Sequence, residues 1–177
     1  MDGSFARSLE RACDRARGTG YRMLDLYDEF RAVVSALSER TIDYAVCGGL
    51  ALSVYCEPRA TVDIDLLILP EDYQRAKEAA HALGYTIEGP PMTFVHGAIE
   101  IRRFSKVEPE SGDSLPLDML LVSPEIVDVW DSRSRIQIEE GEIWVVSRLG
   151  LIAMKSLRQN AQDLADIERL REGFDER

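Results

Sequence analysis

The chain has 177 residues, of which 45% are hydrophobic and 30% charged, and a net charge of −11 at pH 7. This composition fits one soluble globular domain with its own core, and no apolar run approaches the roughly 20 residues of a membrane span. The acidic balance argues against a broad nucleic-acid footprint, which needs clustered Lys and Arg, yet it leaves room for a local basic pocket.

Residues 4–17 read as a helix broken at Gly18-Thr19-Gly20. Residues 1–20 are therefore expected to be a helical or frayed N-terminal segment ahead of a single domain over 21–177. Leu24, Tyr27, Phe30, Val34 and Leu37 recur at helical spacing and predict an amphipathic helix over 21–40. A buried strand over 43–47 leads through Gly48-Gly49 into a short helix over 49–57, and a strand follows over 62–69. Pro70 opens a helix with Tyr73, Ala76, Ala80 and Leu83 on one face and Gly84 as its stop.

Short strands are expected over 85–88 and 93–96, and a half-buried one over 98–104, where Ile99 and Ile101 alternate with charges. A polar loop over 108–114 precedes a strand at 115–122 and a short helix at 124–131. Residues 136–139 and 142–146 flank Glu140-Gly141 as a hairpin. Ser147 caps a helix to Leu157, and Asn160 caps the last one, to residue 172. Cys13, Cys47 and Cys56 are an odd, unpatterned set, so neither a zinc site nor a disulfide framework is expected. The start of the chain is polar and lacks a signal-peptide pattern, so the expected compartment is the cytoplasm.

Two carboxylates one residue apart in a hydrophobic strand need a chemical explanation, because Asp is disfavoured in strands. Side chains alternate along a strand, so Asp63 and Asp65 share one face, with Val62 and Ile64 on the other. Their mutual repulsion raises their pKa unless a cation offsets the charge, and Mg²⁺ suits oxygen ligands while keeping positions open for phosphate. The Gly48-Gly49 turn lets a phosphate approach the backbone at a helix N-terminus. Asp118 interrupts another apolar strand, and it becomes a third carboxylate if that strand lies beside the first. Three converging acids support two-metal phosphoryl or nucleotidyl transfer: two hold the metals, and the third completes a metal site or takes the nucleophile's proton.

Each residue also has a plainer explanation. Asp63 and Asp65 can be the wet side of an amphipathic strand, Arg59 a surface loop residue and Thr61 a strand starter. Lys155 lies off the stripe of Leu149, Ile152, Ala153 and Leu157, so it either faces a cleft or is simply solvated. Asp163 can complement the last helix's N-terminus, and Asp166 with Arg169 can be a surface pair. His81 and His96 lack zinc spacing, and Trp130 and Trp144 read as core or rim.

Gly48-Gly49, Asp63-Ile64-Asp65 and the later Asp118 together resemble the signature of the nucleotidyltransferase superfamily, the polymerase-beta-like fold. The run from Arg59 to Asp65 is similar to that of the abortive-infection toxin nucleotidyltransferases and their small uncharacterised relatives. Those proteins also carry Lys, then Arg or Lys, then Asp-x-x-Asp on C-terminal helices; here these are Lys155, Arg158, Asp163 and Asp166, with Gln162 where the toxins usually have Lys. The resemblance spans residues 43–170.

It implies an α/β (α+β) fold: a mixed, mainly antiparallel sheet flanked by helices, with C-terminal helices. It implies Mg²⁺-dependent transfer of a nucleoside monophosphate from an NTP to a tRNA end, a protein or a small molecule. Asp63, Asp65 and Asp118 would be the catalytic and metal-binding set, holding two Mg²⁺ ions. Gly48, Gly49, Ser53, Arg59, Thr61, Lys155, Asp163 and Asp166 would bind the nucleotide. An antitoxin is an expected partner for a toxin of this type. The alternative from another class is a catalytically silent accessory domain that binds nucleotide or a partner protein.

Overall fold

The structure, a computed structural model, describes residues 24–57, 59–94, 97–138, 141–158 and 160–175. The helix expected at 4–17, the boundary at residue 20 and His96 lie outside the described residues.

Asp25 sets the start of the first helix, α1 (Leu26–Glu39), by accepting hydrogen bonds from the backbone N–H of Tyr27 at 2.9 Å and Asp28 at 3.3 Å. A side-chain cap of this kind fixes a helix start more sharply than periodicity does. Next come β1 (Tyr44–Val46), α2 (Gly48–Tyr55), β2 (Ile64–Ile68), α3 (Tyr73–Ala82), β3 (Ile87–Glu88) and β4 (Met92–Phe94). The remainder is β5 (Ile99–Val107), β6 (Ser114–Leu121), α4 (Val127–Asp131), β7 (Ser134–Ile138), β8 (Gly141–Val145), α5 (Arg148–Arg158) and α6 (Ala161–Asp175). Pro70 and Pro124 each open a 3₁₀ turn that leads into a helix, so α3 and α4 begin three residues later than the sequence suggests.

Among the described residues, the eight strands join one sheet in the order β3-β5-β6-β2-β1-β8-β7, with β4 also paired to β5. The β2–β6 and β1–β8 pairs are parallel and the others antiparallel, which is the mixed, mainly antiparallel sheet expected. Ile64, Leu66, Leu67 and Ile68 of β2 are fully buried, which is why the central strand reads as a continuous apolar run. Asp65 is the one acid inside it. Among the described residues, no helix is long and apolar enough to cross a membrane.

Two local expectations fail for identifiable reasons. Tyr85 is buried but does not enter a strand, because its N–H closes α3 by donating to the Ala80 carbonyl after Gly84 at φ +94°. In α5 the inward face is Gly150, Leu151, Met154 and Lys155, whereas Leu149 is 66% exposed. The Ser147 hydroxyl accepts from the Gly150 N–H at 3.0 Å, and a Cβ on Gly150 would meet Val146 Cγ1 at 2.8 Å. The glycine thus lets α5 approach closely and turns Lys155 inward rather than off the core stripe.

β2 anchors both halves of the sheet, so truncating its core should be costly. Leu67→Ala is expected to lower unfolding free energy by about 2–5 kcal/mol, read as a lower urea midpoint with an unchanged slope.

Candidate active site

Strand register builds the site. β6 runs parallel to β2 with Asp118 opposite Asp65, and β5 runs antiparallel to β6 with Arg103 opposite Asp118. Asp63 precedes β2 in a bend, and the three carboxylates bring oxygens within 4.8 Å of one another. The convergence expected from the sequence therefore occurs. Val62 departs from its expected place beside Ile64: it is 67% exposed, because pairing begins only at Ile64.

The glycine turn is packed against these acids. Gly48 has φ +59°, and a Cβ there would fall 1.8 Å from Asp65 Oδ2. A Cβ on Gly49 would fall 2.5 Å from Thr61 Oγ1. Thr61 is buried, and its hydroxyl donates to Asp63 Oδ1 at 3.0 Å. Both glycines are thus needed for the placement of Asp63 and Asp65, besides any role toward phosphate.

Asp118 is buried and held by both arms of Arg103, with Nε to Oδ1 at 2.7 Å and Nη2 to Oδ2 at 2.6 Å. Arg103 was not anticipated. Its signal was the Arg102-Arg103 pair in an alternating strand, but choosing between the two requires the β5–β6 register.

A second charged cluster lies behind the cleft. Lys155 is buried, and its Nζ donates to Asp166 at 2.7 Å and Asp163 at 3.4 Å. Asp166 is fully buried and also accepts from Arg59 Nε and Nη2, both at 3.1 Å, and from Gln162 at 3.0 Å. It is therefore an interior anchor rather than half of a surface pair, and Arg169 stands 3.9 Å away. Burial works against its charge, but hydrogen bonds from Lys155 and Arg59 outweigh this and hold its pKa below the usual carboxylate range. Asp163 accepts from Arg158 at 3.2 Å, and its N–H donates to the Asn160 side chain at 2.8 Å, the expected cap.

Of the expected site residues, all except Ser53, Asp163 and Asp166 line one open cleft of about 300 Å³. Ser53 is buried within α2 and donates to the Leu50 carbonyl at 2.6 Å. Asp163 and Asp166 grip the cations behind the cleft wall. Arg103 and Arg158 join Arg59 and Lys155 as cations lining the cleft.

Burial pushes the Asp65 carboxyl up to about 7, reinforced by Asp63 and Asp118 and opposed by Arg158 and Lys155. Three hard carboxylate donors whose central member resists ionisation fit a divalent cation such as Mg²⁺, whose charge would relieve their repulsion.

A family model described as an uncharacterised nucleotidyltransferase matches residues 2–154. The chain belongs to this nucleotidyltransferase family. Membership supports a transferase of nucleotidyl groups. Among solved structures, the chain is similar to a candidate nucleotidyltransferase from Thermotoga maritima, with TM-score 0.55 and 14% identity over 90% of this chain and 100% of that one. It is similar to JHP933 from Helicobacter pylori, with TM-score 0.52 and 16% identity over 88% and 68% of the two chains. It is also similar to ANT(2″)-Ia in complex with adenylyl-2″-tobramycin, with TM-score 0.51 and 15% identity over 81% and 86%. At these identities the likeness establishes the shared nucleotidyltransferase fold. No curated protein matches the chain significantly.

The raised Asp65 pKa has a measurable consequence for stability. Above the ordinary carboxylate range the unfolded chain releases this proton while the folded chain keeps it, so rising pH favours unfolding until about pH 7. Asp65→Asn removes that loss. Without divalent cation, the variant should melt a few degrees above the wild type at pH 8, roughly 2–4 °C for each kcal/mol recovered, and the difference should shrink toward pH 4. Equal melting temperatures at both pH values would contradict a charge-strained Asp65.

Proposed function

We propose that this nucleotidyltransferase moves a nucleoside monophosphate from an NTP to an acceptor hydroxyl, with Mg²⁺ held by Asp63, Asp65 and Asp118. The observation that supports this best is the row of three carboxylates within 4.8 Å opening onto a cleft lined by four cationic side chains. Bound there, Mg²⁺ would neutralise phosphate charge and polarise the phosphoryl group.

The remaining work falls to the chain's own groups. The first turn of α2 has no side-chain cap, which leaves its N–H groups to meet phosphate oxygens beside Gly48 and Gly49. Lys155, fixed by Asp163 and Asp166, offers a positioned charge to the triphosphate, and Arg158 adds another. Arg103 orients Asp118, which accepts the proton of the acceptor hydroxyl. The acceptor oxygen bonds to the α-phosphorus as the bond to the bridging oxygen breaks and pyrophosphate leaves. Holding these partners in line lowers the barrier by alignment.

The test is calorimetric titration of each of the four NTPs, with Mg²⁺ and then with EDTA, into wild type and Asp63→Ala/Asp65→Ala. Binding is expected only with Mg²⁺ and only in the wild type. A folded wild type that binds no NTP would sink the proposal. Metal-dependent binding without pyrophosphate release on any acceptor would favour the silent accessory domain instead.

A further inference from the structure

The group that takes the acceptor's proton must lie within hydrogen-bond reach of it. On the nucleotidyl-transfer reading, on which this inference rests, the reacting hydroxyl sits beside Asp118. The cleft wall next to Asp118 is built from β4 and β5, and contributes Met92, Phe94, Ile101 and Arg103. Met92 stands opposite Ile101, and Phe94 opposite Ile99.

Two features of this wall point to a ligand. Arg103 uses its Nε and Nη2 on Asp118, while its Nη1 makes no hydrogen bond among the described residues and its side chain is 41% exposed. The outer edge of that guanidinium is free for a phosphate, which it can grip with two parallel N–H groups. Phe94 is 40% exposed on the same cleft, whereas Tyr44 and Phe104 of the same sheet are buried. Phe94 pairs with Ile99, four positions along β5 from Arg103, so the two stand apart on one cleft and can bracket a nucleotide, the base stacking on the ring and the phosphate meeting the Arg. A polyamine would instead place ammonium groups against Arg103.

We infer that the β4–β5 wall is the acceptor subsite and that it takes a nucleotide, whose ribose hydroxyl lies at Asp118 while its base stacks on Phe94 and its phosphate meets Arg103. The net charge of −11 disfavours a long polyanion lying across the surface. That chemistry is offered both by a free mononucleotide and by the end of a single-stranded RNA. In the transfer, the ribose oxygen bonds to the α-phosphorus of the NTP, pyrophosphate departs, and the ribose proton passes to Asp118.

The experiment supplies Mg²⁺ and α-labelled NTP with one of three acceptors: AMP, a single-stranded RNA hexamer, or tobramycin as the polyamine. In parallel, the fluorescence anisotropy of the dye-labelled hexamer reports binding apart from turnover. Label is expected on the hexamer or on AMP, and not on tobramycin. Label on AMP identifies the free nucleotide as sufficient, and label on the hexamer alone identifies the strand end. Phe94→Ala should raise the KM of the labelled acceptor about tenfold with little change in kcat, as the loss of one stacked base predicts, and Phe94→Trp should restore it. A thermal melt confirms that both variants fold.

Label on tobramycin alone would overturn the inference, as would an unchanged acceptor KM in Phe94→Ala. Intact NTP binding with neither hexamer binding nor label on a nucleotide would overturn it while leaving the transfer reading standing. Absence of NTP binding in the calorimetric titration would instead remove the reading beneath it.

Discussion

Repulsion among three carboxylates at the mouth of a sheet is the constraint around which this molecule is arranged. At 4.8 Å, two full charges repel by about 3 kcal/mol at an effective dielectric near 20. Each acid has its own remedy. Thr61 donates to Asp63, Arg103 clamps Asp118, and Asp65, which has no comparable bond among the described residues, holds its proton up to about pH 7. The glycine turn belongs to the same arrangement, because a side chain at residue 48 would occupy the space of the Asp65 carboxylate. A fold that tolerates such strain at its central strand is built for a counter-charge, which a divalent cation and the phosphates it binds can supply between them.

The second charged cluster holds the frame steady. Asp166 on α6 accepts from Lys155 on α5 and from Arg59 in the loop leading to β2. A single fully buried carboxylate thus joins both C-terminal helices to the segment that carries Thr61 and Asp63. Buried ion pairs add little net stability, since desolvation consumes most of their attraction, but removing one partner leaves the others uncompensated. Asp166 therefore fixes geometry more than it adds stability. It keeps the Lys155 ammonium at a set point on the cleft wall.

The sequence shows the acids and the turn plainly, because Asp in an apolar strand and Gly-Gly at a strand-to-helix junction both break local rules. It shows the element order as well, since capping residues and prolines mark most ends. What it hides depends on pairing and rotation. Alternation puts Arg103 on the face of Ile99 and Ile101, but its role becomes visible only once β5 is set against β6 and Arg103 falls opposite Asp118. The inward face of α5 is hidden because Arg148, Lys155 and Arg158 share a side that reads as solvent-facing, yet Gly150 rather than the Leu149 stripe decides the rotation and Lys155 turns inward. Ser53 looked like a phosphate contact from its place after the turn, yet one helical turn rotates it into the core.

Charge distribution joins these parts into one functional logic. The chain carries 32 acidic residues against 21 Lys and Arg, and four of those cations line a single cleft. A low-dielectric cleft focuses the field of its charges, so it can draw in polyphosphate although the surface as a whole repels it. The same surface disfavours a long polyanion lying across the molecule, which confines any nucleic acid to the part that enters the cleft. Within the cleft, the glycine turn, Lys155 and Arg158 form a side rich in donors for phosphate, while Phe94, Met92 and Ile101 form a side with apolar faces. The acids line the same cleft, with Asp65 against Gly48 and Asp118 opposite Arg103. On the proposed reading, a cleft polarised in this way would separate donor from acceptor by chemistry alone.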